Sequence, residues 1–293
     1  MSGYAHPESL VSTQWVSEHL DDPLVRIVEV VWGDDPPSGM KVYEEGHLPG
    51  AVVWDYKNDY FNPKHGDVAD KISFEEQLSL SGILPETTIV LYGGLNNMNA
   101  TFEFWLLKVY GHRDVRLMDG GRRKWLEENR PVTRTVPVYA STTYHAQEPD
   151  WSLRASREDV LQAIGSENIV LVDPRPEEMY RGIDKPGTKR GGHIPGAINL
   201  TSRWEKNPDG TIIGIDFLTT RPDWTFKTVD ELRAVFDGLG IAPQKEIITY
   251  CLLGGVSTHA WFVLTQLLGY PHVREYDRSW AEWGNIEGLP IET

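Results

Sequence analysis

The sequence predicts an α/β protein that consists of two copies of one domain. Three observations support this prediction. The chain has 293 residues, a length typical of about two domains. Distinctive segments of the first half recur in the second half in the same order, and short apolar stretches alternate with segments of helical spacing. Short buried strands separated by helices form a mostly parallel sheet that is covered by helices on both faces.

Two pairs of segments establish the repeat. GHLPGAVVWD at 46–55 recurs as GHIPGAINLT at 192–201, an offset of 146 residues. SGILPETTIVLYG at 81–93 aligns with LGIAPQKEIITYC at 239–251 at an offset of 158 residues. The larger offset continues along the chain and pairs Gly111 with Gly269 and Trp125 with Trp283.

The two offsets differ by 12, so the second copy contains 12 additional residues between its two matched segments. We place them in the polar stretch at 205–224. We predict a first domain at 8–132 and a second domain at 155–293. The proline-containing segment at 133–154 has no sustained periodicity, which is typical of an extended linker.

The second copy shows the alternation of helices and strands most clearly. Capping-box spacing predicts that two helices begin at Ser156, with Asp159, and at Thr228, with Glu231. A third helix has an apolar stripe and ends at Gly269. The predicted strands are residues 169–173, 246–250 and 273–277.

The composition excludes several classes of function. A formal net charge of −15 repels nucleic acid and anionic membranes, and a small anionic substrate would need a local positive site. A single cysteine forms no internal disulfide, and the first ten residues do not resemble a secretory signal. No apolar run approaches the roughly 18 residues that span a bilayer. We therefore expect a cytoplasmic protein with neither nucleic-acid nor membrane partners.

The single cysteine, Cys251, follows a predicted buried strand and precedes a helix that begins near Ser257. Ligands of parallel sheets bind at the carboxyl ends of strands. The two glycines of CLLGGV let the backbone curl, so that its amides and the helix N-terminus favour a thiolate with a lowered pKa. The alternative is a small buried hydrophobic residue. The first copy has Gly93 at the equivalent position, which indicates that packing does not require a thiol there.

Several motifs resemble those of the tandem rhodanese sulfurtransferases, and bacterial thiosulfate sulfurtransferases most of all. DGGRRKW occupies 119–125, the cysteine leads its loop, and EYDRSWAEW occupies 275–283. The resemblance covers nearly the whole chain. It implies a first domain without a nucleophile, a second domain with the catalytic cysteine, and an active site in the cleft between them. The turn motif that occurs in both copies is represented in the first by Tyr43, His47, Pro49, Gly50 and Ala51.

The same resemblance implies a mechanism. The Cys251 thiolate would take the outer sulfur of thiosulfate, or the sulfur of 3-mercaptopyruvate, and become a persulfide. A thiophilic acceptor such as cyanide or a thiol, including a protein thiol, would then remove that sulfur. No metal or organic cofactor is implied. The loop amides expected to stabilise the persulfide belong to Leu252, Leu253, Gly254, Gly255, Val256 and Ser257.

The loop departs from the family pattern. Members that prefer thiosulfate have cationic loop side chains, and members that prefer mercaptopyruvate have a Gly-Ser-Gly-Val-Thr run. Leu252, Leu253 and Val256 match neither type. We predict that cations before the second GHIPG turn bind the donor instead; the alternative is that they form only a solvated loop face. These cations are Arg181, Lys189 and Arg190.

Other polar residues are predicted to have supporting roles. Asp173 and Arg175 follow the strand at 169–173 and are expected to form a buried pair that braces the loop. Asp277 repeats Asp119, which indicates a structural role common to both copies. Two further residues of the first copy are candidates for the cleft, namely Asp55 and His65.

Other classes of protein fit less well. Phosphatases that share the rhodanese fold use Cys-x5-Arg, but Ser257 occupies the arginine position. The motifs G-x-S-x-G, G-x-x-x-x-G-K-[ST] and G-x-G-x-x-G do not occur. The remaining rival is a non-enzymatic persulfide carrier or sulfur sensor, in which Leu252 and Leu253 would form a docking lip.

Overall fold

The computed structural model describes residues 3–33, 38–57, 61–62 and 67–293, of which 61–62 and 67 are described by their backbone alone. His65, a candidate for the cleft, lies outside the described residues. Within these ranges, none of the helices has the length and apolar character needed to cross a membrane.

The first domain is a parallel sheet with helices packed against it. The strands are β1 (Leu10–Val11), β2 (Val25–Val31), β3 (Val52–Asp55), β4 (Phe61–Asn62), β5 (Asp67–Val68), β6 (Thr88–Gly93) and β7 (Val115–Met118). The helices are α1 (Thr13–Glu18), α2 (Met40–Glu45), α3 (Lys71–Leu80), α4 (Met98–Val109) and α5 (Gly121–Glu127). The sheet has the order β1-β7-β6-β2-β3 with all neighbours parallel, and β4 and β5 form a separate antiparallel pair.

The second domain repeats this arrangement. Its helices are α6 (Arg157–Ala163), α7 (Glu177–Tyr180), α8 (Val229–Gly238), α9 (Gly255–Phe262) and α10 (Ser279–Trp283). Its strands are β8 (Ile169–Asp173), β9 (Ile198–Asn199), β10 (Ser202–Lys206), β11 (Ile212–Phe217), β12 (Glu246–Thr249) and β13 (Val273–Glu275). The parallel sheet has the order β13-β12-β8-β9. The predicted α/β fold with two similar domains is confirmed.

Local sequence signals explain where these elements begin and end. Both capping boxes form: the Ser156 hydroxyl accepts the Asp159 N–H, and the Thr228 hydroxyl accepts the Glu231 N–H. The predicted strand at 169–173 coincides with β8, because a run of four apolar residues before Asp173 lies in a doubly covered sheet. Gly269, at φ +71°, ends the helical segment that follows the cysteine loop.

The antiparallel ribbon β10–β11 overlaps the stretch at 205–224 in which the insertion of the second copy was predicted. It runs over residues 202–217, and Trp204 pairs with Ile215 across it. The ribbon lies against the first domain, because the Asn96 side-chain amide donates to the Ile215 carbonyl at 3.3 Å and to the Thr220 hydroxyl at 3.0 Å. The ribbon is therefore an ordered wall between the two domains.

The domains pack through the helix that follows the equivalent loop in each copy, α4 in the first and α9 in the second. The Thr101 and Thr258 hydroxyls lie 3.3 Å apart at their contact. Phe104 and Phe262 meet edge to face, with ring centroids 4.9 Å apart. One continuous hydrophobic cluster contains buried residues of both domains. The two loops consequently face each other across the interface.

Candidate active site

Cys251 lies immediately after β12, at the carboxyl edge of the second sheet. Only 1% of its surface is exposed, and it packs with Leu95, Ile215 and Val256 in a small apolar cluster. The residue also lines a cavity of about 220 Å³ between the two domains. The thiol is therefore shielded from bulk water and adjoins a cavity in which a small molecule could bind.

The loop after Cys251 directs backbone groups toward the sulfur. The Gly254 N–H donates to Sγ at 3.2 Å, and the Gly254 backbone has φ +90°, a conformation that favours glycine. A Cβ at this position would lie 3.0 Å from the Phe102 ring. Glycine is required here both by the backbone angle and by the close approach of the first domain.

The motif at 275–283 forms hydrogen bonds to the backbone of the same loop. The Ser279 hydroxyl accepts the Cys251 N–H at 2.9 Å and itself donates to the Tyr276 carbonyl at 2.9 Å. The N–H of Trp280 donates to the Cys251 carbonyl, and the N–H of Ala281 donates to the Leu252 carbonyl, each at 3.0 Å. The start of α10 therefore orders the loop backbone on the side away from the cavity.

The expected lowering of the thiol pKa is not what the structure shows. Burial raises the pKa of Cys251, and the Glu275 carboxyl raises it further. Hydrogen bonds from Ser257 and from the Leu253 backbone act in the opposite direction without reversing the shift. Sequence reasoning counted the loop amides but had no information on the depth of the sulfur or on the carboxyl beneath it.

Glu275 is a fully buried carboxyl below the cysteine loop. Its Oε1 accepts the Ser257 hydroxyl and its Oε2 accepts the Thr249 hydroxyl. Burial raises its pKa well above the usual range of a glutamate. At the 158-residue offset its counterpart in the first copy is Leu117, so this carboxyl occurs only beneath the loop that contains the cysteine.

Asp173 and Arg175 form the buried pair that the sequence predicts. The guanidinium Nη2 donates to Asp173 Oδ2 at 2.6 Å and to the Gly192 carbonyl at 2.8 Å, and Nε donates to both carboxylate oxygens. Arg175 also lines the cavity, and its guanidinium lies 4.8 Å from the centroid of the Trp280 ring. Burial alone would lower the pKa of Arg175, but the Asp173 carboxylate raises it overall. Arg175 is therefore charged and already paired.

The three cations predicted to bind the donor do not line the cavity. The Arg181 side chain is 61% exposed and pairs with Glu177 at 3.4 Å, and Lys189 is exposed. Arg190 binds backbone carbonyl oxygens of the C-terminal segment and so ties that segment to the domain. The four oxygens belong to Trp283, Gly284, Ile286 and Leu289.

Three further predicted residues stabilise the surroundings of the site. Asp277 accepts two hydrogen bonds from Arg154, at 2.7 and 2.9 Å, whereas the equivalent Asp119 accepts the Phe226 N–H at 3.0 Å. The two aspartates thus repeat in sequence but bind different groups. Asp55 accepts the N–H of Gly33 at 2.8 Å and organises a turn of the first domain.

Sequence reasoning missed the residues that the first domain and the ribbon contribute to the cavity. Tyr56, just after β3, donates its hydroxyl to the Leu253 carbonyl and so joins the first domain to the cysteine loop. Its position after a strand end was an available signal. Leu95 and Met98 come from the loop that the repeat equates with the cysteine loop, and Trp204 and Ile212 come from the ribbon.

Comparison with known proteins identifies the family. The model of the rhodanese-like domain matches residues 12–128 and 156–286. The chain belongs to the rhodanese family. The predicted resemblance is confirmed, and the fold of each half is a rhodanese domain.

Relatives of this rhodanese cover nearly the full chain. It is 45% identical to the sulfur carrier protein TtuD of Thermus thermophilus, over 99% of this chain and 98% of that protein. It is 38% identical to a thiosulfate sulfurtransferase of Corynebacterium glutamicum, over 99% of this chain and 92% of that protein. The Corynebacterium glutamicum relative places the chain with thiosulfate sulfurtransferase-like enzymes, which are transferases.

Solved structures show the same fold. The anaerobic ergothioneine biosynthesis enzyme of Chlorobium limicola, in complex with trimethyl histidine, superimposes with a TM-score of 0.85 and 24% sequence identity. The match covers all of this rhodanese and 72% of that chain. YnjE superimposes with a TM-score of 0.83 and 24% sequence identity, and the match covers all of this rhodanese and 70% of that chain.

Proposed function

We propose that this rhodanese moves a sulfane sulfur from thiosulfate, or from 3-mercaptopyruvate, to a thiophilic acceptor such as cyanide or a thiol. The observation that supports the proposal is the position of Cys251 Sγ, which accepts a loop amide at 3.2 Å and lines the cavity between the domains. Cyanide is the acceptor of choice for an assay, because the thiocyanate product is easily measured.

Cys251 acts as the nucleophile. Its thiol loses a proton, the thiolate attacks the outer sulfur of the donor, and sulfite leaves with the electron pair of the broken S–S bond. The terminal sulfur of the new persulfide carries the negative charge, and we expect the loop amides from Leu252 to Ser257 to stabilise it. Attack by the acceptor on that sulfur restores the thiolate.

The raised pKa of the free thiol lowers the fraction of Cys251 that is present as the attacking thiolate. A persulfide is more acidic than its parent thiol, so the loaded sulfur ionises more readily in the same site. The buried surroundings protect the persulfide from solvent. Arg175 adds a fixed positive charge at the cavity wall, although Asp173 offsets most of it.

The substitution Cys251→Ser tests the proposal. Wild-type protein is expected to release sulfite from thiosulfate when cyanide is present, and to gain about 32 Da when thiosulfate is added alone. Cys251→Ser is expected to lose both effects. Because this is the single cysteine of the chain, intact mass assigns the adduct unambiguously. A variant that retains sulfite release would refute Cys251 as the carrier.

A persulfide carrier is the second candidate function, and the name of the Thermus thermophilus relative favours it. In that case a partner protein would load Cys251, and Leu252 and Leu253, both part of the cavity wall, would contact the partner. The two functions differ in one measurement. A wild type that is inactive with both small donors, and that nevertheless accepts sulfur from a persulfidated protein, is a carrier.

A further inference from the structure

The cavity beside Cys251 has mainly apolar walls. Aromatic and aliphatic side chains from both domains line it in the part of the chain that the structure describes. They include Trp32, Leu95, Met98, Trp204, Ile212 and Leu252. Polar groups at the wall are few, and the Tyr56 hydroxyl is already bound to the Leu253 carbonyl.

Arg175 is the charged side chain among the described lining residues. Its guanidinium already donates to both oxygens of Asp173 and to a backbone carbonyl, so Asp173 offsets most of its positive charge. A dianion such as thiosulfate would give up its hydration in this cavity without a full countercharge, which is unfavourable. The net charge of −15 on the protein adds to that penalty.

The size of the cavity fits a single ring. Its volume is about 220 Å³, whereas an apolar cavity of roughly 150 Å³ is large enough to bind benzene. Trp32 and Trp204 provide aromatic surfaces against which a ring can pack. Leu95 and Leu252 provide aliphatic surfaces for the same ring.

We propose that this rhodanese prefers an organic sulfane-sulfur donor with an apolar, ring-sized body and no more than one negative charge. The inference rests on the proposed sulfur transfer at Cys251 and specifies its substrate class. The apolar body occupies the cavity and places the sulfane sulfur next to Sγ.

An aryl thiosulfonate, ArSO₂–S⁻, represents this class. The Cys251 thiolate attacks the terminal sulfur, the new Cys S–S bond forms, and the bond between that sulfur and the sulfonyl sulfur breaks. Arenesulfinate, ArSO₂⁻, leaves with the electron pair. The products are the persulfide anion and the sulfinate, so atoms and charge balance without an oxidant or reductant.

The experiment compares benzenethiosulfonate, methanethiosulfonate and thiosulfate as donors with cyanide as acceptor. Each kcat/KM is divided by the rate of the same donor with a free small thiol, which removes differences in intrinsic reactivity. The normalised value is expected to be at least about tenfold higher for benzenethiosulfonate than for methanethiosulfonate, because the ring buries additional apolar surface. Thiosulfate is expected to give the lowest value. Equal values for the two thiosulfonates, or a preference for thiosulfate, would overturn the inference.

A second experiment adds a positive charge to the cavity wall. Leu252→Lys is expected to reduce the preference for benzenethiosulfonate over thiosulfate by about tenfold or more, since a lysine supplies the missing countercharge. Val138→Lys adds the same charge on a linker side chain that is 95% exposed and should leave the preference unchanged. A similar change in both variants would mean that net charge, and not the cavity wall, sets the preference, and the inference would fail.

Binding to Cys251→Ser separates this inference from the proposed function. Benzenesulfinate should bind this variant more tightly than methanesulfinate, as measured by calorimetry, whether or not the wild type transfers sulfur. Equal binding of the two sulfinates would refute the apolar ring site. Failure of every donor to add mass to wild-type Cys251 would instead refute the proposed function.

Discussion

Glu275 distinguishes the second copy from the first, as the cysteine does. It is buried beneath the loop, hydrogen-bonded to Ser257 and Thr249, and replaced by Leu117 in the first copy. Its ionised form would lie close to the thiolate, and it raises the pKa of Cys251. The Glu275 carboxyl therefore disfavours the thiolate form of Cys251.

Replacing Glu275 with glutamine should lower the pKa of the Cys251 thiol. Glutamine keeps a hydrogen-bonding amide in place but cannot become negative beside the sulfur. We expect alkylation of Glu275→Gln by iodoacetamide at pH 8 to be roughly threefold faster or more than alkylation of the wild type. Glu287→Gln removes the same charge from an exposed site and should alkylate at the wild-type rate. Slower alkylation of Glu275→Gln would contradict the assigned direction.

At the scale of secondary-structure elements, the cysteine loop depends on the turn between β12 and α9. Gly254 adopts φ +90°, donates its N–H to Sγ, and lies where a methyl group would meet the Phe102 ring. Three features thus fix the loop: its own backbone conformation, the hydrogen bonds from the start of α10, and the contact with the first domain.

A matched pair of glycine substitutions tests this dependence. Gly254→Ala should lower the free energy of unfolding by at least about 1 kcal/mol, because alanine disfavours the observed φ, and should strongly reduce persulfide formation. Gly238→Ala, at an exposed position in α8 with no atom near the added methyl group, should leave activity intact and raise stability by up to about 1 kcal/mol. Thermal unfolding and intact mass after thiosulfate treatment measure the two effects. Normal adduct formation by Gly254→Ala would argue against the need for this backbone angle.

The elements themselves were largely predictable, because each has a local signal. The repeat offset, two capping boxes and the apolar strands at 169–173 and 246–250 define most of the second domain. The cavity was less predictable, since residues far apart in the chain form it. Arg190 shows why: its charge and sequence position resemble those of a donor-binding group, yet its guanidinium binds C-terminal carbonyl oxygens.

At the scale of the whole molecule, polar contacts supplement the shared apolar core between the domains. Asp119 of the first domain accepts the Phe226 N–H, and Lys124 pairs with Asp223 at 2.9 Å. Burial raises the pKa of Asp119 from 3.8 to about 7. An interface group thus titrates near neutral pH.

The stability of the protein should depend on pH through Asp119. Between about pH 4 and pH 7 the unfolded chain loses this proton while the folded protein keeps it, so the contribution of Asp119 to the free energy of unfolding falls as pH rises. The slope is at most about 1.4 kcal/mol per pH unit, and partial contact of Asp119 with solvent reduces it. Asp119→Asn keeps a side-chain oxygen that accepts the Phe226 N–H, and it removes the part of the pH dependence of stability that Asp119 contributes.

Urea unfolding at several pH values measures the difference between Asp119→Asn and wild type. The variant should gain relative stability progressively from pH 4 to pH 7 and keep a constant advantage above that range. Asp216→Asn, at an exposed position in β11, should match the wild type throughout. An advantage of Asp119→Asn that did not vary with pH would rule out titration of this carboxyl as its cause.

The hydrophobic cluster common to both domains also bears on how the site selects its ligands. Because α4 and α9 pack into one shared hydrophobic interior, we expect the two sides of the cleft to keep a fixed separation. The cavity between them then has a nearly constant width. Selection among sulfur compounds would depend on whether each one fits that width, and each single substitution of a wall side chain should change the selection by a discrete amount.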